Sequence, residues 1–89
     1  MAILITGGTK GIGLAVAKAF APDAGAVFLN YHGDDAAAAR AATEVSASGG
    51  TAHLVKADAG TPEGCAAIVA SVGKVTGRLD QVVHCALET

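Results

Sequence analysis

The 89-residue sequence is poor in aromatic and in basic side chains, and both shortages exclude functions. It has no tryptophan, one tyrosine and two phenylalanines, too few for the stacking platforms that hold single-stranded nucleic acid. Six lysines and arginines against eight acids give a net charge of −2. The basic residues are scattered, so the basic patch of a DNA- or RNA-binding protein is missing. The sequence therefore predicts no nucleic-acid partner.

Long apolar runs and a cysteine framework are missing as well. No run approaches the roughly 20 apolar residues of a membrane-spanning helix, and Met1 leads into a strand-like segment without a charged leader. Cys65 and Cys85 lack C-x-x-C spacing and predict two buried, reduced thiols. The three histidines have no ligand spacing. We therefore expect a cytoplasmic protein with no membrane association and no metal.

What the sequence does contain is an alternation of short apolar runs with longer helix-like stretches. Four runs are predicted to be strands, at residues 2–6, 26–31, 51–56 and 81–85. Three stretches are predicted to be helices, at residues 12–20, 34–48 and 61–76. Strands joined by helical crossovers lie parallel. The prediction is an α/β fold, a Rossmann-type three-layer α/β/α arrangement with a parallel sheet, of which this is the first β-α-β-α-β-α-β portion.

The apolar residues support two of the predicted helices. In the first helix, Ile12, Val16, Ala19 and Phe20 recur at helical spacing, and the third helix runs through Ile68, Val69 and Val72. In the second helix, Arg40 and Glu44 are four residues apart and predict an ion pair on a solvated face. Thr61-Pro62-Glu63 opens the third helix with a hydroxyl cap, a proline and an acid.

The strongest chemical signal is the glycine turn after the first strand, Thr6-Gly7-Gly8-Thr9-Lys10-Gly11-Ile12-Gly13. A strand, a glycine turn and a helix start form the context in which a pyrophosphate lies against backbone N–H groups at the helix N-terminus. The spacing is neither Gly-x-Gly-x-x-Gly nor a P-loop. The predicted cofactor contacts in the turn are Gly7, Thr9, Lys10, Gly11, Ile12 and Gly13.

The end of the second strand indicates which nicotinamide dinucleotide is bound. Cofactors with a free 2′-hydroxyl are held by an acid about 20 residues past the glycines. That place is occupied here by Asn30, Tyr31 and His32, which we expect to contact the cofactor. The missing carboxylate admits a 2′-phosphate, and Lys10 supplies a positive charge for it. The sequence therefore favours NADP(H), with NAD(H) possible.

The turn resembles the TGxxxGIG motif of the short-chain dehydrogenase/reductase superfamily, and the resemblance extends over the whole chain as the first third of such an enzyme. In style it is closest to 3-oxoacyl-acyl-carrier-protein reductases. Asp58, followed by Ala59, resembles the acid that binds the adenine amino group. The segment 79–83, Leu-Asp-Gln-Val-Val, resembles the strand that leads to the family's Asn-Asn-Ala-Gly cofactor segment.

That cofactor segment departs from the family pattern. The sequence has His84-Cys85-Ala86-Leu87, in which Ala86 alone matches and Leu87 replaces a glycine. Cys85 and Ala86 are still the expected contacts, on the resemblance. His84 after Val83 is also similar to the Val-His-Ser segment of enoyl-acyl-carrier-protein reductases.

The residues of catalysis in this superfamily, a Ser and a Tyr-x-x-x-Lys pair, are the other departure. The only tyrosine is Tyr31, and Asp35 stands four residues later, so we assign no catalytic residue here. The resemblance implies an incomplete domain over residues 1–89, whose catalytic half comes from the remainder of the enzyme or another chain. It also implies a homo-oligomeric parent that moves hydride between NADPH and a carbonyl or alcohol. A stand-alone nucleotide-binding module and a non-catalytic remnant remain alternatives.

Overall fold

The computed structural model describes residues 1–85, which form a four-stranded parallel sheet with helices on both faces. The strands are β1 (Ala2–Thr6), β2 (Ala26–Tyr31), β3 (Thr51–Lys56) and β4 (Gln81–His84). The helices are α1 (Gly11–Phe20), α2 (Asp35–Ala47) and α3 (Pro62–Val75). The predicted Rossmann-type α/β fold is thereby confirmed.

The strands lie in the order β3-β2-β1-β4, and each neighbouring pair is parallel. The chain therefore builds outward from β1 to β3 and then returns to the other side of β1. The carboxyl ends of β1 and β4 meet at the point where the strand order reverses. In open α/β sheets this reversal point is where ligands bind.

The two faces of the sheet are covered by different helices. All five residues of β1 are buried, because both of its faces are packed, and a parallel strand in that position is apolar throughout. One face packs against α1 and α2 through Ile3, Ile5, Val27, Leu29, Ala17, Ala41 and Val45. The other packs against α3 through Leu4, Phe28, Val55, Ile68 and Val72.

The apolar residues of α1 and α3 do not all face the sheet. In α1 the buried residues are Gly13 and Ala17, and Val16 and Phe20 pack against the core, whereas Ile12 is 64% exposed. In α3, Ile68 and Val72 are buried, but Val69 is 72% exposed. Consecutive helical residues point about 100° apart, so the neighbour of a buried residue turns away from the sheet.

Two side-chain predictions are also corrected. Glu44 pairs with Lys18 at 3.1 Å, and not with Arg40, because α1 and α2 lie side by side on one face of the sheet. The expected burial of both cysteines is wrong: Cys65 is exposed and Cys85 is half-buried. Cys65 follows Gly64, which faces the sheet, and therefore turns toward solvent.

Some element boundaries shift by one residue from the sequence prediction. Helix α1 begins at Gly11, and β4 ends at His84, although the Cys85 N–H still donates to the Thr6 carbonyl oxygen at 2.9 Å. Helix α2 begins at Asp35, because the Asp34 carboxylate accepts the Ala37 N–H at 2.9 Å as an N-cap.

Candidate functional site

The glycine turn joins β1 to α1 at the carboxyl end of the sheet. Gly7 and Gly11 have φ angles of 65° and 52°, in the left-handed region where glycine is unstrained. A Cβ on Gly13 would collide with the Gly7 carbonyl oxygen. The Gly8 N–H donates to the Asn30 carbonyl oxygen at 3.0 Å and ties the turn to β2. The glycines therefore set the backbone path and bring α1 directly against the end of β1.

The N-terminus of α1 has no side-chain cap. Lys10 occupies the N-cap position but makes no capping hydrogen bond, and the first turn contains no acid. The first helical hydrogen bond runs from the Leu14 N–H to the Lys10 carbonyl oxygen at 3.1 Å. Within residues 1–85 the N–H groups of Gly11, Ile12 and Gly13 have no acceptor. Such a terminus carries partial positive charge and is suited to an anion.

A cleft lies beside this turn, between β1 and the loop that follows β2. Across it, Lys10 Nζ lies 3.0 Å from Asp34 Oδ2, and both side chains are about half exposed. The Ala37 N–H, and then Lys10, lower the pKa of Asp34. The cleft is lined by Gly7, Thr9, Lys10, Tyr31, His32, Gly33 and Asp34.

Tyr31 closes the outer side of the cleft through a polar cluster. Its hydroxyl donates to Asp35 Oδ1 at 3.0 Å, and Lys56 Nζ lies 3.1 Å from the same oxygen. Partial burial, and then the Asp35 carboxylate, raise the pKa of Tyr31. Hydrogen bonds from Lys56 and Tyr31 lower the pKa of Asp35. The phenol is therefore held as a neutral donor to a carboxylate, which fixes the ring at the edge of the cleft.

Asn30 does not face the cleft. Its side chain is 1% exposed, and its amide nitrogen donates to the carbonyl oxygens of Val55 at 3.1 Å and Ala57 at 3.0 Å. Asn30 therefore fastens β2 to the end of β3, which is a structural task. Sequence reasoning missed it because both partners lie more than 20 residues away along the chain.

Asp58 and Ala59 lie where the chain leaves β3. Asp58 Oδ1 accepts the Gly60 N–H at 2.8 Å, and the Asp58 carbonyl oxygen accepts the Thr61 hydroxyl at 3.1 Å. The Ala59 carbonyl oxygen accepts from the Cys65 thiol at 3.3 Å. One carboxylate oxygen of Asp58 is thus used to shape its own turn, and Oδ2 has no partner within residues 1–85.

At the β1–β4 reversal point, Thr6, His84 and Cys85 form a small hydrogen-bonded group. Thr6 Oγ1 lies 2.8 Å from His84 Nδ1 and accepts the Cys85 N–H at 3.1 Å. The predicted contact Ala86 lies outside the described residues. The sequence analysis placed Thr6 in the glycine turn and His84 in a family resemblance, but it did not predict the contact between them, which depends on the pairing of β1 with β4.

Most of the predicted site residues therefore meet in one region. Gly7, Thr9, Lys10, Tyr31 and His32 line the cleft, and Gly11, Ile12 and Gly13 form the open helix terminus beside it. Asp34 joins this set, although it is not among the predicted contacts. Asn30 turns away, and Asp58 and Ala59 lie at the end of the outermost strand.

A parallel sheet in this order, with a glycine turn at the carboxyl end of its first strand, defines a Rossmann-type α/β protein. The family model described as short chain dehydrogenase matches residues 1–87. The chain belongs to this family.

Individual relatives agree with that assignment. The chain is 39% identical over 80 residues to 1-cyclohexenylcarbonyl-CoA reductase of Streptomyces collinus. These residues cover 90% of this chain and 29% of that protein. An NADH-dependent reductase complexed with NAD superposes with a TM-score of 0.83 and 31% identity, over 93% of this chain and 34% of that one. A dehydrogenase from Burkholderia cenocepacia with bound NADP superposes with a TM-score of 0.82 and 28% identity. The match covers 93% of this chain and 32% of that one.

The chain spans about a third of the length of the curated relatives that it matches. Within residues 1–85, no helix is long and apolar enough to cross a membrane. In that same part of the chain, no group of three or more His, Cys, Asp and Glu side chains is placed to hold a metal ion.

Proposed function

We propose that this chain is the cofactor-binding portion of a short-chain reductase that transfers hydride between NADPH and a carbonyl or alcohol substrate. The observation that carries the proposal is the open N-terminus of α1, where Gly11, Ile12 and Gly13 present backbone N–H groups with no acceptor within residues 1–85. Membership of the short chain dehydrogenase family supports the same reading.

The residues present fit a nicotinamide dinucleotide. A pyrophosphate needs N–H donors with no competing side chain, and Gly13, which has no Cβ, leaves α1 close enough to β1 to provide them. The cleft next to this terminus, between Lys10 and Tyr31, takes the adenosine ribose. The backbone N–H groups of α1 hold the pyrophosphate, and the reversal point between β1 and β4 takes the second nucleoside. Solved relatives bind NAD in one case and NADP in another.

Lys10 and Asp34 are the residues that select between the two cofactors. The Lys10 ammonium lies at the cleft and forms a charge-assisted hydrogen bond with a 2′-phosphate. Asp34 is 3.0 Å from it, and its carboxylate competes with that phosphate for the lysine. If the natural cofactor were NAD(H), the same carboxylate would instead accept a hydrogen bond from the 2′-hydroxyl. The absence of an acid at positions 30–32 favours NADP(H).

Catalysis needs groups that these 89 residues do not contain. The bound cofactor supplies the hydride, and the task of these residues is to bind and orient the cofactor. The single tyrosine, Tyr31, has Asp35 four residues later and donates its hydroxyl proton to it, so it does not form the family's Tyr-x-x-x-Lys pair. We propose that this pair comes from chain beyond these residues or from another chain, and that the parent protein is a homo-oligomer of the 3-oxoacyl reductase type.

The experiment is a binding titration of the protein with NADPH and with NADH, followed by cofactor fluorescence. We expect tighter binding of NADPH, and about a 10-fold or greater loss of that affinity in Lys10→Ala, because a hydrogen bond to a charged group contributes about 1.5–3 kcal/mol. Asp34→Asn should bind NADPH more tightly, since the competing carboxylate is removed. The matched control is Lys18→Ala, which removes a lysine in α1 that pairs with Glu44 and does not line the cleft.

Tighter binding of NADH, unchanged by Lys10→Ala and weakened by Asp34→Asn, would instead assign NAD(H) to the cleft. Failure of the protein to bind either dinucleotide would overturn the proposal as a whole.

The gene sequence distinguishes the hypothesis of a stand-alone binding module from the hypothesis of a complete enzyme. An open frame past Thr89 that encodes Tyr-x-x-x-Lys about 60–70 residues later, the spacing that the family resemblance implies, favours the reductase. A stop codon after Thr89 favours the binding module or a non-catalytic remnant, and the 89-residue chain should then oxidise no NADPH with any ketone.

A further inference from the structure

Two aspartates stand next to each other at the start of α2, and each is paired with a lysine from a different part of the fold. Asp34 pairs with Lys10 of the glycine turn at 3.0 Å. Asp35 pairs with Lys56, the last residue of β3, whose Nζ lies 3.1 Å from Oδ1 and 3.2 Å from Oδ2. Asp34 and Lys10 line the cleft, whereas Asp35 and Lys56 do not. The second pair therefore has no part in the cofactor contacts proposed above.

The Asp35 carboxylate is nevertheless close enough to the cleft to affect its charge. It accepts the hydroxyl proton of Tyr31, a residue of the cleft wall, at 3.0 Å. Hydrogen bonds from Lys56 and then from Tyr31 lower the pKa of Asp35, while the neighbouring Asp34 charge works in the opposite direction. Within residues 1–85, Lys10 is the only lysine or arginine that lines the cleft. Two carboxylates therefore stand beside a cleft that has a single lysine.

The strand order places the two lysines on opposite sides of β2. Lys56 ends β3 and Lys10 follows β1, and β2 lies between these strands. A carboxylate that is held by Lys56 is therefore held away from Lys10. When a 2′-phosphate takes Lys10, Asp34 loses its partner, but Asp35 keeps Lys56. Without Lys56, the released Asp35 carboxylate would be a second competitor for the lysine that the phosphate needs.

We propose that Lys56 is a positioning residue for cofactor selection, which holds Asp35 on the β3 side and so keeps that carboxylate from competing with a 2′-phosphate for Lys10. The inference rests on the proposed NADP(H) site, and it assigns part of the choice between NADPH and NADH to a residue outside the cleft. NADH has no 2′-phosphate, so this competition does not affect its binding. Because Lys56 and Asp35 are 54% and 66% exposed, solvent screens the pair and the effect on affinity is moderate.

The test measures the affinities for NADPH and for NADH, with the protein as its gene encodes it. In Lys56→Met we expect NADPH to bind about 2- to 5-fold more weakly, the range that corresponds to one exposed charge interaction, and NADH to bind as before. Lys56→Arg keeps the charge and should keep the NADPH affinity. The control Lys74→Met removes an exposed lysine from the last turn of α3, so it changes the net charge equally, and it should change neither affinity.

A double-mutant cycle distinguishes positioning of Asp35 from a direct attraction between Lys56 and the phosphate. In Asp35→Asn no second carboxylate is left to compete, so adding Lys56→Met should leave the NADPH affinity of that variant unchanged. If Lys56 attracted the phosphate directly, its loss would weaken NADPH binding equally with and without Asp35. That result would overturn the inference.

The two proposals fail in different ways. If the unaltered protein binds neither dinucleotide, the proposed cofactor site is wrong. If it binds NADH alone, the choice of NADP(H) is wrong and the role of Lys56 falls with it. If it binds both, and Lys56→Met weakens neither or weakens both equally, the cofactor site stands and the role of Lys56 is wrong.

A second measurement does not depend on affinity. The hydrogen bond from Lys56, and then the one from Tyr31, hold the pKa of Asp35 below the ordinary value of an aspartate. An NMR titration of the Asp35 carboxylate carbon should therefore show a higher pKa in Lys56→Met and a pKa close to the original one in Lys56→Arg. An Asp35 pKa that Lys56→Met leaves unchanged would show that the pair does not hold the carboxylate, and it would overturn the inference.

Discussion

Two junctions in this molecule, β1 to α1 and β3 to α3, have nearly the same construction. Each has a glycine at the third helical position, six residues after a backbone carbonyl against which it lies. A Cβ on Gly13 would collide with the Gly7 carbonyl, and one on Gly64 would collide with the Asp58 carbonyl. Both helices therefore start as close to the sheet as a glycine allows.

The junctions differ at the residue that caps the helix. Lys10 and Thr61 share an extended backbone, with φ angles of −143° and −120°. The Thr61 hydroxyl accepts the Gly64 N–H at 2.9 Å, and Glu63 adds an acid to the first turn of α3. Lys10 caps nothing. The Thr61 hydroxyl caps one donor at the start of α3, whereas no side chain caps α1. Under the proposed function, the open terminus of α1 holds the pyrophosphate, so the same backbone plan would serve stability in one place and binding in the other.

The largest effects should come from filling the space that both junctions keep empty. Gly13→Ala and Gly64→Ala should each lower the free energy of unfolding by about 1–3 kcal/mol, because the new methyl group meets backbone that cannot move away freely. Urea unfolding measures this loss. Only Gly13→Ala should also weaken NADPH binding.

The control for these variants is Gly73→Ala, inside α3. A Cβ there meets nothing within 4 Å, so the variant should gain about 0.5–1 kcal/mol from helix propensity. Equal destabilisation of all three variants would show that the close approach at Gly13 and Gly64 is not the cause.

Giving α1 the hydroxyl cap that α3 has should make its N-terminus more stable and weaken its binding of NADPH. In Lys10→Ser the hydroxyl takes the position of the Thr61 hydroxyl, so the free energy of unfolding should rise by about 0.5–1 kcal/mol. NADPH affinity should fall about 10-fold or more, since both the lysine charge and an open donor are lost. Thermal unfolding and a fluorescence titration on the same sample check the two effects. A variant that gains stability and keeps its affinity would contradict the proposed use of this terminus.

Removing the cap of α3 should act on stability alone. Thr61→Ala leaves the Gly64 N–H without its acceptor and should lower the free energy of unfolding by about 1 kcal/mol. Its NADPH affinity should match that of the unaltered protein. A change in affinity would mean that the two junctions are coupled, against the division of tasks described above.

The second helix, α2, has a cap that titrates. The Ala37 N–H, and then Lys10, hold the pKa of its N-cap Asp34 below the ordinary value of an aspartate. A lowered pKa in the folded state means that the contribution to stability is present above pH 3.8 and is lost as the pH falls through the folded value. Urea unfolding at pH 7 and near pH 3 should therefore show a smaller pH dependence for Asp34→Asn. An identical pH dependence in the variant and the unaltered protein would show that ionised Asp34 makes no measurable contribution to the free energy of unfolding.

The sequence predicted the order of elements and the glycine turn because both depend on local signals. Gly7, Gly11 and Gly13 lie within seven residues of each other, and Thr61-Pro62-Glu63 is a contiguous helix start. These patterns carry their structural meaning without knowledge of the rest of the chain.

The remaining features depend on contacts between distant residues. The salt bridge between Lys10 and Asp34 crosses from one loop to another, and the buried amide of Asn30 is satisfied by carbonyl groups at the end of β3. Neither pairing can be derived before the register of the sheet is known.

The most direct test of the account follows the backbone amides of the two matching helix starts in one NMR titration with NADPH. We predict that the amide signals of Ile12 and Gly13 move with a common dissociation constant, while those of Glu63 and Gly64 stay in place. Signals that move equally at both helices, or only at α3, would contradict the claim that the uncapped terminus of α1 is the anion-binding element of this protein.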